Sequence, residues 1–328
     1  MESNFSLRNS CVTENTSTYN FKGGYSRAGQ TLQTLIIFWI ISFFGIIGNG
    51  ITLIVLFKRK LWTSVNILIL IMSISDTLAL PFITCMPTQK FLGKEIYWQT
   101  TLVRDIFITS SCISAMIIGM ERSFAIRNPL KFKEKWNTGL TVKLYIVILV
   151  MMIIVIIVKH SSNLHVVVAF VDRYLYVPYY ILIRGIPFTV ILVTNILLAR
   201  ELIKTNRLLT TMINAKVERE RMRQEAAITK MVMTVTSVYF VCMVPGRLLA
   251  GIMKDGLLQN ERSLVYLTIT YLELFNFSVN TIIYTMTSLF FRNGYKQLIV
   301  SLFGCSWLNK SRLKFQPKQL HSDRVTIM

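Results

Sequence analysis

Seven apolar stretches are the strongest constraint on this chain: Gln33–Phe57, Asn66–Thr88, Trp98–Ile126, Thr141–Val158, Tyr176–Ala199, Ala226–Met253 and Leu264–Leu289. A helix needs about 20 apolar residues to cross the hydrocarbon core, and most of these stretches exceed that length. The fourth is the shortest, with Lys143 and Lys159 placed to reach the interfaces at its two ends. Of the 328 residues, 53% are hydrophobic and only 16% charged, and the mean hydropathy is +0.51. That balance predicts an all-α membrane protein, a seven-transmembrane helix bundle.

Several spans carry polar side chains deep inside. Asn49 lies in the first, Asp76 in the second, and Asn276 and Asn280 in the seventh. An Asp at the centre of a membrane helix costs roughly 2.5–3.5 kcal/mol on insertion scales, so these groups must face one another or a watery cavity. The bundle is therefore expected to have a polar interior.

The net charge of +20 raises the question of nucleic-acid binding, and its distribution answers it. Four alternate segments, Lys58–Lys60, Arg122–Lys143, Arg200–Lys230 and Arg292–Met328, hold 24 of the 36 Lys and Arg against seven acidic residues, counting Glu121 beside Arg122. The opposite loops and the N-terminus hold nine basic and six acidic residues. The positive-inside rule then puts the N-terminus outside the cell and the C-terminus in the cytoplasm. The basic excess sets topology, with anionic lipid as its neighbour and no nucleic-acid partner.

Residues 1–32 form a polar external segment without the ordered regions of a cleavable signal, so the first span is read as a signal anchor. Glycosylation sequons start at Asn4 and Asn15. A bundle over 33–289 is followed by an amphipathic eighth helix over 290–305 and a cytoplasmic tail over 306–328. In that eighth helix Arg292 and Lys296 alternate with Phe291, Tyr295, Leu298 and Ile299. Ala215–Glu225 reads as a cytoplasmic extension of the sixth helix. Cys305 is a palmitoylation candidate, with a free thiol as the alternative.

Pro81, Pro87, Pro187 and Pro245 punctuate spans and can kink them. No CxxC pair, His cluster, Gly-rich phosphate loop or nucleophile–base arrangement is present, so no residues carry an enzyme reading. A transporter would often show repeated halves, and the two halves of this chain are not alike.

Taken in order, the motifs resemble those of the rhodopsin-like (class A) G-protein-coupled receptors, and they cover roughly Gln33 to Cys305. Gly48-Asn49 is similar to the family's first-helix pair, and Ser73-Ile74-Ser75-Asp76 to its second-helix acidic motif. Glu121-Arg122-Ser123 resembles the Asp/Glu-Arg-Tyr motif, and Pro187 and Pro245 match the prolines of the fifth and sixth helices. Asn280-Thr281-Ile282-Ile283-Tyr284 resembles the Asn-Pro-x-x-Tyr box with its proline replaced. Three departures stand beside these matches. Tyr97 stands where the family carries a Cys, the second outer loop (159–177) has none, and Met243 replaces the sixth-helix Trp.

The resemblance implies a receptor for an extracellular ligand, working through a heterotrimeric G protein at the plasma membrane. It implies an Arg122–Glu225 pair beside Glu121 as the inner lock, and Pro187, Met243, Pro245 and Tyr284 as the activation switch. Asn49, Asp76, Ser111, Asn276 and Asn280 become a polar cluster able to hold a sodium ion or a water network. Arg104, Asp105, Arg184, Arg247, Tyr271 and Glu273 fall toward the ligand pocket, where they either neutralise one another or meet an acidic ligand. A biogenic amine and retinal are disfavoured, because Arg104 stands at the aminergic Asp position and the seventh span has no Lys. A neuropeptide fits best, then a lipid or small carboxylate. Ser301, Ser306, Ser311, Ser322 and Thr326 are phosphoacceptor candidates for arrestin. A signalling-dead decoy or scaffold, or less readily a transporter, is the competing reading.

Overall fold

The computed structural model describes residues 32–59, 62–94, 98–161, 183, 185–211, 216–254 and 262–303. Asn4, Asn15, Arg184 and Cys305 lie outside the described residues, as does most of the second outer loop.

Nine helices and no strand occupy the described residues: α1 (Leu32–Arg59), α2 (Ser64–Phe91), α3 (Trp98–Arg127), α4 (Pro129–Lys135), α5 (Thr138–Ser161), α6 (Ile186–Thr211), α7 (Lys216–Lys254), α8 (Arg262–Thr287) and α9 (Leu289–Phe303). Six of them are long and apolar enough to cross a membrane, and the bent pair α8–α9 supplies the seventh span. The short α4 lies within the basic segment after Arg122, which the sequence presented only as a loop.

Local chemistry sets the boundaries. Thr63 caps α2 by accepting from the Asn66 backbone N–H at 3.3 Å, and Asn137 caps α5 by accepting from that of Leu140 at 2.7 Å. Pro129 opens α4 at a position where its missing N–H costs nothing. Past the end of α2 the chain turns at Gly93, whose φ of 70° suits a residue without Cβ. Pro81 and Pro87 stay within one continuous α2, and Pro245 within α7. Pro187 falls in the first turn of α6, just after the π-helical residues 183 and 185.

The core is organised around α3, every residue of which is buried from Ile108 to Gly119. That segment is rich in Ser, Ala, Cys and Gly, the small side chains that let membrane helices approach closely. It packs against α2, α5, α6 and α7, with α1 and α8 closing the ring through α2. By contrast α1 and α5 turn broad apolar faces outward, including Trp39, Phe43 and Phe44 on α1 and Val147, Met151 and Ile154 on α5. In water such surface would mark an error; here it is the lipid-facing side.

Hydroxyls stitch the helices together where apolar packing has no preferred depth. Ser110 on α3 lies 2.5 Å from Ser75 on α2 and 2.7 Å from Tyr145 on α5. Thr236 on α7 donates to Asn195 on α6 at 2.5 Å. Beyond Ser288 the chain turns by 101° into α9, whose pattern is amphipathic. Tyr284 of α8 stacks on Phe291 of α9, with ring centroids 4.9 Å apart. Tyr295 of α9 is buried as well.

Gly45 and Gly119 mark the closest approaches. A Cβ on Gly45 would collide with Ser278 of α8 and come within 2.7 Å of Leu80 Cδ1 of α2; one on Gly119 would lie 2.8 Å from Thr194 Oγ1 of α6. Gly45→Val is therefore expected to destabilise the bundle by about 1–3 kcal/mol through overpacking. Thermal unfolding of the detergent-solubilised protein measures this, and an unchanged midpoint would contradict the tight α1–α2–α8 seam.

Candidate functional site

Near the C-terminal end of α3, Glu121 is completely buried and faces inward across three helices. It accepts from Ser64 Oγ of α2 at 2.8 Å and, over a longer 3.5 Å, from Thr141 Oγ1 of α5. Trp136 Nε1 donates to the same Thr141 hydroxyl at 2.8 Å. Arg122 sits further from Glu121, with Nη2 3.8 Å from Oε1, and extends Nη1 to within 3.5 Å of Glu225 Oε2 on α7. The sequence-derived trio thus comes together, with a division of labour that the motif did not reveal. Glu121 is chiefly a tie among α2, α3 and α5, while Arg122 bridges α3 to α7.

Glu225 is 57% exposed, so the bridge is a half-solvated ion pair. Such exposed pairs contribute only about 0.2–1 kcal/mol. Above it lies an apolar plug of Ile69, Met72, Ala115, Ile118, Met231, Val232, Val235 and Tyr284, enclosing a cavity of only ≈ 10 Å³. That space is too tight for a chain of water molecules. The bundle is tightly packed at this level.

Higher in the bundle the polar cluster assembles around Asp76, which has no solvent exposure. Ser111 Oγ of α3 donates to its Oδ1 at 2.6 Å, and Asn280 Nδ2 of α8 donates to its Oδ2 at 2.7 Å. Asn49 Nδ2 of α1 reaches the Phe277 carbonyl of α8 at 2.9 Å, leaving Asn49 Oδ1 buried without a hydrogen-bond partner. Asn276 is buried one turn from Asn280 on the same helix. One buried carboxylate, several neutral oxygens and an orphaned amide oxygen form a donor set compatible with a hard monovalent cation. The same groups equally support a bound-water network.

Among the switch residues, Met243 is 1% exposed in the α7 core, Pro187 is buried, and Pro245 is exposed. Tyr284 is 1% exposed, and its hydroxyl has no hydrogen-bond partner.

Toward the outer end, Arg104 and Asp105 of α3 pair directly, with Nη2 and Nε at 2.9 and 3.3 Å from Oδ1. Arg104 Nη1 points at the Met86 sulfur of α2, 3.1 Å away. Asp105 Oδ2 faces His160 Nε2 of α5 at 3.5 Å, and both side chains are buried. His160 was missed in the sequence, where a lone His at a helix end gives no local signal of a carboxylate 55 positions earlier. Glu273 of α8 is buried, and its charge acts on Arg104. Tyr271 turns toward α1, edge-on to Phe38 with centroids 4.7 Å apart. Arg184 and the side chain of Arg247 lie outside the described residues. The outer constellation is therefore an internally compensated charge cluster in which Arg104 is already engaged.

Comparison with curated proteins returned no match. A family model does match: that of the seven-transmembrane receptors of the rhodopsin family, over residues 48–284. The match spans the Asn49–Asp76–Asn280 cluster, the Arg122–Glu225 bridge and the Tyr284 end of the seventh span, in the order and helices described above. The chain belongs to the rhodopsin family of seven-transmembrane receptors.

Proposed function

We propose that this receptor sits in the plasma membrane with its N-terminus outside, binds an extracellular ligand, and activates a heterotrimeric G protein when α7 moves outward. The observation that carries this reading is the tightly packed inner end, where Arg122 of α3 reaches Glu225 of α7 across a plug of apolar side chains. A helix held by one exposed ion pair and a few apolar contacts is a two-state element of the kind receptors use. Activation separates Met231, Val232 and Val235 from α2 and α3, frees Arg122, and opens a groove for the G protein. Glu225 and Pro245 are 20 positions apart, which makes the inner arm of α7 about 30 Å long. A small movement near Pro245 is therefore amplified at the cytoplasmic face.

The ligand we favour is a peptide presenting an acidic or amidated end. Arg104 supports it, because its Nη1 points at a thioether sulfur, a weak acceptor that a ligand oxygen can displace. Asp105 and Glu273 keep the guanidinium compensated until then. Sodium, if held, would be bound by Asp76 with Ser111, and its charge would favour the resting arrangement. A silent decoy is the reading to defeat, since Met243 and Thr281 replace two activation-motif residues.

Expression in cells with calcium and cyclic-AMP reporters, a neuropeptide library and surface staining tests the proposal. A saturable response abolished by Arg122→Ala supports it, and silence at good surface expression favours the decoy. Glu225→Ala is expected to raise agonist-independent signalling by no more than about fivefold, the most an exposed ion pair of ~1 kcal/mol allows. Met231→Ala should raise it further, because deleting a buried Met costs about 2 kcal/mol or more of packing. If Glu225→Ala exceeds Met231→Ala at equal surface level, the plug is not the main restraint. Arg104→Ala should weaken an acidic peptide more than tenfold, whereas unchanged potency removes Arg104 from ligand recognition.

A further inference from the structure

One saturated node of hydroxyls joins α1, α8 and α9. Thr52 of α1 is fully buried, and its Oγ1 lies 3.1 Å from the Gly48 carbonyl, 3.1 Å from Thr281 Oγ1 of α8 and 2.9 Å from Tyr295 Oη of α9. A threonine hydroxyl offers one donor and two acceptor positions. The Gly48 carbonyl can only accept, so the Thr52 proton goes there. Thr281 and Tyr295 then both donate to Thr52, and every position on the oxygen is filled.

Thr281 takes the place of a proline in the Asn280–Tyr284 box, and this has two consequences. It restores a backbone N–H, so α8 runs unbroken from Arg262 to Thr287 instead of carrying a proline hinge at this level. It also places a hydroxyl against α1, where the absence of a side chain on Gly48 permits the approach: a Cβ there would lie 3.0 Å from Thr281 Oγ1. The α9 arm of the node is packed just as closely, since a Cβ on Gly294 would collide with Val55 of α1. Tyr284, the residue of the box with the orphaned hydroxyl, stacks on Phe291 of α9. If the ring of Tyr284 leaves its seat, α9 loses this stacking contact with α8.

We infer that the Thr52–Thr281–Tyr295 node is a conformational latch: it clamps the inner end of α8 and the start of α9 to α1, and opening it is required for Tyr284 to leave the plug and for α7 to swing out. The inference rests on the proposed outward movement of α7 and adds the restraint that opposes it from the far side of the bundle.

The test uses the full chain in lipid nanodiscs, with spectroscopic labels on clickable amino acids at positions 58 and 230, on the exposed inner parts of α1 and α7. The distance distribution between the labels and amide exchange across α9 are recorded without ligand. Thr281→Val is expected to enlarge the long-distance population roughly fivefold, the worth of one buried hydrogen bond, and to speed exchange in α9. Thr281→Ser keeps the hydroxyl and should match the native protein. If Thr281→Val fails to fold, Tyr295→Phe keeps the ring, loses the same node, and should give the same result. A native-like distribution and native-like α9 exchange in the folded variant overturn the latch, as does Thr281→Ser behaving like Thr281→Val. Glu225→Ala, measured alongside, separates the two ideas. If it lengthens the distance while Thr281→Val does not, the latch falls and the α7 movement stands. If Thr281→Val lengthens it while Glu225→Ala leaves it unchanged, the latch stands and the ion-pair restraint falls.

Discussion

A carboxylate without solvent access dictates much of this structure. Asp76 sits in the middle of a membrane helix, and a charge there is tolerable only when its oxygens are occupied. Ser111 and Asn280 occupy them, which fixes the rotation of α3 and α8 about α2. Once those helices are set, Asn49 is carried to the Phe277 carbonyl and α1 is drawn into the ring. Lipid offers no hydrophobic drive for helix association, so satisfaction of polar groups selects the arrangement and small residues let it close.

The same logic organises the restraints on movement. Ionic, apolar and hydroxyl contacts occupy different depths and involve different helices: Arg122 with Glu225 at the rim, the plug around Met231 above it, and Thr52 with Thr281 and Tyr295 at the α1 side. None is strong singly. Each lies within a few kcal/mol of thermal energy, which is what a receptor must have if a ligand of ordinary affinity is to shift its population.

Much of this was legible in the sequence because hydropathy and charge are read locally. The seven spans, the continuation of α7 to Lys216 and the amphipathic α9 all follow from composition along the chain. Polar side chains inside apolar runs likewise announced the Asp76 cluster. What could not be read was pairing across the bundle. Glu121 adjoins Arg122 in sequence yet lies closer to Ser64 and Thr141; for Arg104, read as either neutralised by nearby acids or turned to an acidic ligand, the sequence could not single out Asp105 as its partner. His160 and Tyr295 carry no local mark of their partners, and α4 is too short to show a period. These outcomes depend on which faces meet, and that is decided by helices far apart in the chain.

One further consequence concerns how α5 finds its orientation. This helix is apolar almost all round, and within lipid such a cylinder gains nothing by choosing one azimuth over another. Three polar side chains on its buried stripe, Thr141, Tyr145 and His160, face Glu121, Ser110 and Asp105 at the inner, middle and outer levels of α3. Turned by a single residue, about 100°, the helix would break all three pairings at once and leave two buried carboxylates short of a neighbour. The trio therefore acts as a keyway: α5 slides into the assembling bundle freely but seats in one rotation only.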